Sequence, residues 1–304
     1  MQRWPSLKQL QYLVALDEHK NFNRAAKACH VSQSTLSTGI QTLEDMMNLQ
    51  LVERDHKSFI MTPVGMEIVA RARNLLSDAR DLMELSQQQG GVMHGTVRLG
   101  CIPTIAPFLL SKLLQVCGKA YPELELLLRE DTTTNLLKQL EQGQLDLLIL
   151  ALPVEIGGFH SKTVGQDPFH MVMPSHMAAG LHMPFDYKEL PNQSIFLLER
   201  EHCLTEHAVS ACRLRDKSKI NPFAATSLHT LVQMVGAGLG TTFLPQMAID
   251  AGILDNTDLV AIPLPGEKPY REIGLVWRPS TTRVQTFYKI AELLTPLITP
   301  KPAG

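Results

Sequence analysis

The chain has 304 residues, 44% hydrophobic and 19% charged, which excludes an intrinsically disordered polymer and leaves room for two or three domains with full cores. Its 28 Lys and Arg against 30 Asp and Glu give a net charge of −2, so no global basic field points at nucleic acid and any such surface must be local. The first residues carry Arg3, Pro5 and Lys8 without the apolar core of a signal peptide, and no run approaches the ~20 apolar residues that span a bilayer; a soluble, cytoplasmic protein is expected, with no membrane partner. Five cysteines, an odd number, do not make a secreted disulfide framework. In a reducing cytoplasm, a cysteine pair that matters is catalytic, metal-binding or redox-sensing.

Ser6 to Glu18 places Leu7, Leu10, Leu13 and Val14 at helical spacing, and Asn21 to Cys29 is a second short amphipathic helix. Ser32 can cap a third helix running to about Asn48, with Leu36, Ile40 and Leu43 as its inward stripe and Ser34, Ser37, Thr38 and Gln41 facing away. Two helices joined tightly at Cys29 to Ser32, the second showing short polar side chains, form a helix-turn-helix pattern, whose hydroxyls and amides suit base edges and phosphates. Lys20 to Gln41 holds basic residues and no acidic ones, and Leu51 to Met61 could be an extended wing. An ordinary three-helix unit with a solvated polar face is the alternative on periodicity alone.

Thr62 followed by Pro63 is a cap and first-turn signal for a helix to about Gln89. Within it Ile68, Ala72, Leu75, Ala79 and Leu82 recur at steps of four, three, four and three, a coiled-coil seam. A second copy of the chain is the simplest partner for such a seam, and this chain's own C-terminal part is the alternative. Gln87 to Gly91 reads as a hinge. Beyond it, Gly95–Cys101, Leu124–Arg129 and Leu145–Leu152 are strands separated by helices at Pro107–Ala120 and Asn135–Gln142, a βαβαβ unit with a largely parallel buried sheet. Further strand and helix signals lie at 169–173, 194–198, 228–235, 240–244, 259–264 and 273–277, before a last helix from about Arg283 to Leu297. Two α/β lobes with a ligand cleft between them fit this length.

Asn21-Phe22-Asn23-Arg24-Ala25-Ala26, Ser32-Gln33-Ser34-Thr35-Leu36-Ser37, Ile40, Leu43-Glu44, Glu53-Arg54 and Thr62-Pro63-Val64-Gly65 together resemble the N-terminal signature of LysR-type regulators. Asn48 and Val52 depart from it, standing where the family usually has Gly and Phe. Val235-Gly236-Ala237-Gly238-Leu239-Gly240 and Leu244-Pro245 resemble the family's second-lobe motif. The resemblance implies an α/β protein with an all-α, winged helix-turn-helix DNA-binding domain at 1–61, a linker dimerisation helix and hinge at 62–91, and a two-lobed regulatory domain resembling a periplasmic binding protein at 92–304. Lobe I would take about 92–164 and 269–304, and lobe II about 165–268. It implies double-stranded DNA as partner, contacted through Arg24, Ser32, Gln33, Ser34, Thr35, Ser37, Thr38, Gln41 and Arg54. It also implies a homo-oligomer, dimeric through the linker helix and tetrameric through the sensor domains, acting with RNA polymerase. No enzyme activity, cofactor or metal is expected.

Leu197-Leu198-Glu199, His202-Cys203-Leu204 and Cys212 resemble the redox segment of the OxyR-type peroxide sensors within that family. This implies a redox-active pair, Cys203 peroxidatic and Cys212 resolving, oxidised by hydrogen peroxide and reduced by a separate thiol system, switching oxidative-stress genes. The implied peroxide pocket is His202, Thr104 of Ile102-Pro103-Thr104, Thr133 and Arg271. The register among Thr132, Thr133 and Thr134 is open by one, and Arg278 competes with Arg271.

Peroxide attack needs a thiolate, and an ordinary Cys with pKa ~8.5 is mostly protonated at neutral pH. His202 adjoins Cys203, and His207 lies four residues on, one turn away if the segment is helical. The resulting sulfenic acid condenses with a second thiol, but the eight residues between the cysteines would rise ~12 Å as a helix, whereas a disulfide needs Cα atoms within ~7 Å. Either the segment is not helical when reduced, or bonding must refold it. Cys29, Cys101 and Cys117 fall at core-facing positions. Two other readings remain: His202, Cys203, His207 and Cys212 as zinc ligands, and a regulator switched by a small metabolite between the lobes. A thiol peroxidase that turns over has no need of a DNA-binding head.

Overall fold

The computed structural model describes residues 4–55, 58–87, 91–180, 190–199, 203–212, 214, 216–264 and 269–298. The chain forms two compact units, one of Met1–Gly90 with Lys138–Gln144 and Ser280–Thr282, the other of Gly91–Leu137, Leu145–Pro279 and Arg283–Gly304. No helix among the described residues is long and apolar enough to cross a membrane.

In the N-terminal unit, α1 (Leu7–His19) opens with a capping box in which Ser6 Oγ accepts from Gln9 N and Gln9 Oε1 accepts from Ser6 N. Asn21 caps α2 (Phe22–Ala28) and Ser32 caps α3 (Gln33–Met47). Leu13, Leu16, Ala25, Leu36, Ile40 and Leu43 are fully buried together. A Cβ on Gly39 would stand 2.7 Å from the Tyr12 ring, so α3 lies against α1 at a distance only glycine permits. Asn48 ends α3 at φ 51°, a left-handed position that Asn tolerates in place of the family's Gly.

The extended piece after α3 is a two-stranded antiparallel hairpin, β1 (Val52–Asp55) and β2 (Ser58–Met61). The buried carboxylate of Glu44 ties α3 to it, accepting from Leu51 N at 2.8 Å and Val52 N at 3.0 Å. Thr62 Oγ1 accepts from Gly65 N and donates to Gln50 O, capping α4 (Pro63–Gln87) while fixing it to the hairpin. The expected seam along α4 divides. Ala72 is buried and Ile68 packs against the helix-turn-helix core, and Arg73 pairs with Asp17 and Glu18 of α1. Only the distal Leu75 and Leu82 are exposed, at 52% and 67%, joined by Met83. The first turns of α4 are thus part of the head, because α1 supplies the apolar surface that periodicity assigned to a partner.

From Gly95 onward the chain runs β3 (Gly95–Cys101), α5 (Ala106–Ala120), β4 (Leu124–Glu130), α6 (Thr133–Glu141), β5 (Leu147–Leu152), β6 (His160–Pro174), α7 (Ser175–Ala178), β7 (Ile195–Leu198), α8 (Cys203–Ala211), β8 (Ile220–Ala225), α9 (Leu228–Gly236), β9 (Thr241–Pro245), α10 (Gln246–Asp250), β10 (Leu259–Pro263), β11 (Tyr270–Trp277) and α11 (Val284–Ile298). Strand order is β4-β3-β5-β11-β6-β9-β7-β8, with β10 also on β6. The expected parallel β3, β4 and β5 are present, but β11 pairs antiparallel with both β5 and β6, so the sheet is mixed.

Strand β6 begins at His160, well before the expected residue 169. Its first half is polar and exposed, which hides it from a hydrophobicity pattern, yet it pairs with β11 as far as Pro168 and with β9 and β10 from Phe169 onward. It therefore joins the two halves of the sheet. Strand β8 had no sequence signal, because Asn221-Pro222 is poor strand chemistry; as an edge strand it tolerates the proline. Cys101 and Cys117 are buried, and Cys29 is partly buried against the head's core.

Candidate functional site

On α3, Leu36, Ile40 and Leu43 take up the inward face, so Gln33, Ser34, Thr35, Thr38 and Gln41 stand exposed and Ser37 half-buried on the other. Arg24, also exposed, lies in the first turn of α2. Ser32 is primarily a cap: its hydroxyl accepts from Thr35 N at 3.1 Å and bonds the Ser34 and Thr35 hydroxyls at 2.8 and 2.7 Å. Gln41 Nε2 donates to Asp45. Arg54 lies on strand β1 opposite Phe59, and its side chain lies outside what is described.

In the second unit, Cys203 is the first residue of α8 and Cys212 follows its last, Cys212 N still donating to Ala208 O at 2.9 Å. The stretch between them is helical, so the cysteines stand about 13 Å apart along the axis at ~1.5 Å per residue, and neither is in a disulfide. That separation also forbids a single zinc ion bridging Cys203 and Cys212. Among the described residues, no group of three or more His, Cys, Asp or Glu could hold a metal. His202 lies outside the described residues.

Burial raises the Cys203 thiol above its ordinary pKa, while the Thr133 hydroxyl and the Arg271 guanidinium act the other way. Of the three consecutive threonines only Thr133, opening α6, is buried. It faces the thiol without a completed hydrogen bond: Thr133 Oγ1 has no partner among the described residues. Arg271, at the start of β11, is fully buried. Its Nε and Nη2 donate to Asp167 Oδ2 at 3.0 and 2.9 Å, and its Nη1 and Nη2 donate to Thr104 Oγ1 and O at 2.8 and 2.9 Å. Asp167 Oδ1 in turn accepts from Met247 N.

The geometry thus brings Cys203, Thr133, Arg271 and Thr104 into one neighbourhood and separates them from Arg278. That arginine sits at the other end of β11, bonded to Leu145 O and near Asp146. Asp167 was missed by sequence reasoning, because it sits in a polar run whose strand character was itself invisible. No local signal could have paired it with a residue 104 positions away.

Residues 7–66 match the bacterial regulatory helix-turn-helix protein, lysR family, and residues 90–295 match the LysR substrate binding domain. The chain belongs to the LysR family of bacterial transcription regulators. This LysR-family chain is 39% identical to the HTH-type transcriptional regulator EstR of Acinetobacter baylyi over 95% of its length and 96% of that protein. It is 36% identical to the DNA-binding transcriptional dual regulator OxyR of Escherichia coli over 95% of this chain and 94% of that one. Among solved structures, the reduced form of the regulatory domain of OxyR2 from Vibrio vulnificus is 64% identical, with a TM-score of 0.67, and covers 68% of this chain and 97% of that one.

Proposed function

We propose that this LysR-family regulator is a cytoplasmic activator switched by hydrogen peroxide. The observation that carries the reading is the placement of Cys203 at the head of α8, beside a buried threonine hydroxyl and within the field of a buried arginine, with a second cysteine at the helix's far end. The Cys203 sulfur attacks one peroxide oxygen. The O–O bond breaks, and the products are a sulfenic acid and water. Thr133 and Thr104 present hydroxyls to the peroxide, with Arg271 favouring the developing negative charge and His202 next in sequence to the reacting sulfur. Condensation with the Cys212 thiol forms the disulfide and releases a second water. Because a disulfide needs Cα atoms within ~7 Å, α8 must unwind to form it, and that refolding is the signal. A cellular thiol reductant reverses it.

A carboxylate metabolite as effector is disfavoured by the centre itself: Arg271, the natural anchor for one, already holds Asp167. The exposed α3 face, with Arg24 and Arg54, would read double-stranded DNA, and the exposed Leu75, Leu82 and Met83 of α4 would pair with a second copy. Dimers would associate further into tetramers and act on RNA polymerase. The test is intact-mass analysis of the chain after stoichiometric peroxide, with a DNA footprint before and after. The expected result is loss of two hydrogens and a changed footprint, both absent in Cys203→Ser. A footprint indifferent to oxidation, or no Cys203–Cys212 bond, overturns the reading.

A further inference from the structure

Burial raises the pKa of the Cys203 thiol, and a thiol that attacks peroxide must give up its proton to some acceptor. His207 lies one turn along α8 from Cys203, at a spacing that puts Cβ atoms about 5–6 Å apart on one helix face. Both side chains line a single open cleft of about 660 Å³, shared with Glu206 and residues 153–157. His207 Nε2 lies 2.8 Å from Pro153 O. A carbonyl can only accept, so Nε2 carries the proton and donates. In the neutral ring that leaves Nδ1 as a bare lone pair, and Nδ1 is buried with no hydrogen-bond partner among the described residues.

Resting on the peroxide reading above, we infer that His207 is a catalytic residue of that reaction, a general base and then acid working through Nδ1. As the Cys203 sulfur bonds to the near peroxide oxygen, Nδ1 takes the thiol proton, directly or through one water. As the O–O bond breaks, the same proton is returned to the departing oxygen, which leaves as water. The thiol proton and the peroxide's own two hydrogens are then all accounted for in the sulfenic acid and the water, and no other reactant is needed.

The surroundings favour this cycle. Burial lowers the pKa of His207 below its ordinary value, and the positive Arg271 acts in the same direction, against the Pro153 bond and Glu206. The ring is therefore neutral and able to accept at pH 7. The charged and titratable groups around it, among the described residues, are Cys203 and Glu206 on α8, Glu155 of the facing loop, and Arg271 on β11 with its partner Asp167. The Nε2–Pro153 bond fixes the ring's tautomer in the way an orienting acceptor fixes a catalytic histidine.

The experiment measures the second-order rate of Cys203 sulfenylation by peroxide in the full chain across pH 5–10, with Cys212→Ser to stop the next step. It compares the native His207 with His207→Gln, which keeps an amide donor for Pro153 O but removes the base, and with His207→Ala. The expected result is a loss of about 100-fold at pH 7, the lower end of what general acid–base catalysis supplies. The gap should narrow as pH rises and the thiolate forms unaided, and millimolar imidazole should restore part of the rate to His207→Ala. A loss constant with pH and insensitive to imidazole would make His207 a tether only and overturn the inference, as would no loss in His207→Gln. If Cys203 in the native His207 background does not react with peroxide, the functional reading fails as a whole; if it reacts and the variants match it, only the role of His207 falls.

Discussion

Helices α3 and α8 both present a polar face and carry the residues assigned to signal and response, yet they are secured by different means. The fifteen residues of α3 are capped at both ends, bury Leu36, Ile40 and Leu43 completely, and are bolted to the hairpin by the doubly bonded Glu44. At about 1.5–3 kcal/mol per fully buried aliphatic side chain, these three side chains alone contribute on the order of 5–9 kcal/mol. The nine residues of α8 bury one large side chain, Leu204, with Ala208 beside it and Cys212 just beyond the helix. Two side-chain tethers complete its attachment, Thr205 Oγ1 donating to Leu198 O at 2.7 Å and His207 to Pro153 O. The helix-turn-helix element is thus built into a core, whereas α8, which the proposed disulfide would require to unwind, is pinned by one buried leucine and a few hydrogen bonds.

The sharpest way to break this contrast is a matched pair of cavities. Leu36→Ala is expected to cost about 2–5 kcal/mol, read as a lower denaturation midpoint for the N-terminal unit. Leu204→Ala should instead express itself mainly as lost hydrogen-exchange protection confined to residues 203–212, with a smaller shift in the second unit's midpoint. Equal global losses would refute the difference. A matched pair of hydroxyls is the next test. Ser32→Ala should cost about 1 kcal/mol of head stability through the lost cap, measured by thermal melting together with a weakened footprint.

Thr205→Val removes a single neutral bond worth roughly 0.5–1.5 kcal/mol. Because that bond must break for α8 to unwind, disulfide formation after sulfenylation should accelerate by a few-fold, read by quenched intact mass. A slower disulfide would mean the tether guides the refolding rather than opposing it. The smallest expected effect is on acid stability. The pKa of His207 is lowered by burial in the folded chain, so below its ordinary value of ~6.5 the unfolded state binds the extra proton more readily and stability falls with pH. Between pH 7 and 5.5 the second unit's melting temperature should therefore drop slightly more in the native chain than in His207→Gln; an identical drop would remove His207 from that balance.

Much of the molecule was legible because its signals are local. Caps at Ser6, Asn21, Ser32 and Thr62 are short-range bonds between a side chain and amides three residues on, so the helix starts follow from residue types alone. Strand β3 follows from its alternation and β5 from a short apolar run, and β5 is buried along its whole length. What periodicity misread was partnership. The seam on α4 is real as a pattern, but its first half is satisfied by α1 and only Leu75 and Leu82 are left outward.

The cysteine pair on which the proposed chemistry rests is visible in the sequence as two thiols separated by 212 − 203 = 9 positions, with His207 one potential turn from the first. The sequence by itself determined the helix-turn-helix register and the family, since each rests on neighbours within one or two turns. Only the tertiary structure decided that the stretch between the cysteines is helical in the thiol form, that Thr133 rather than Thr132 or Thr134 is buried beside Cys203, and that Arg271 rather than Arg278 is the buried cation whose field reaches that thiol. The physical reason is that these choices depend on strand register and on electrostatic pairing between residues far apart in the chain. Asp167 selects Arg271 because β6 and β11 lie side by side there, and no spacing along the chain carries that information.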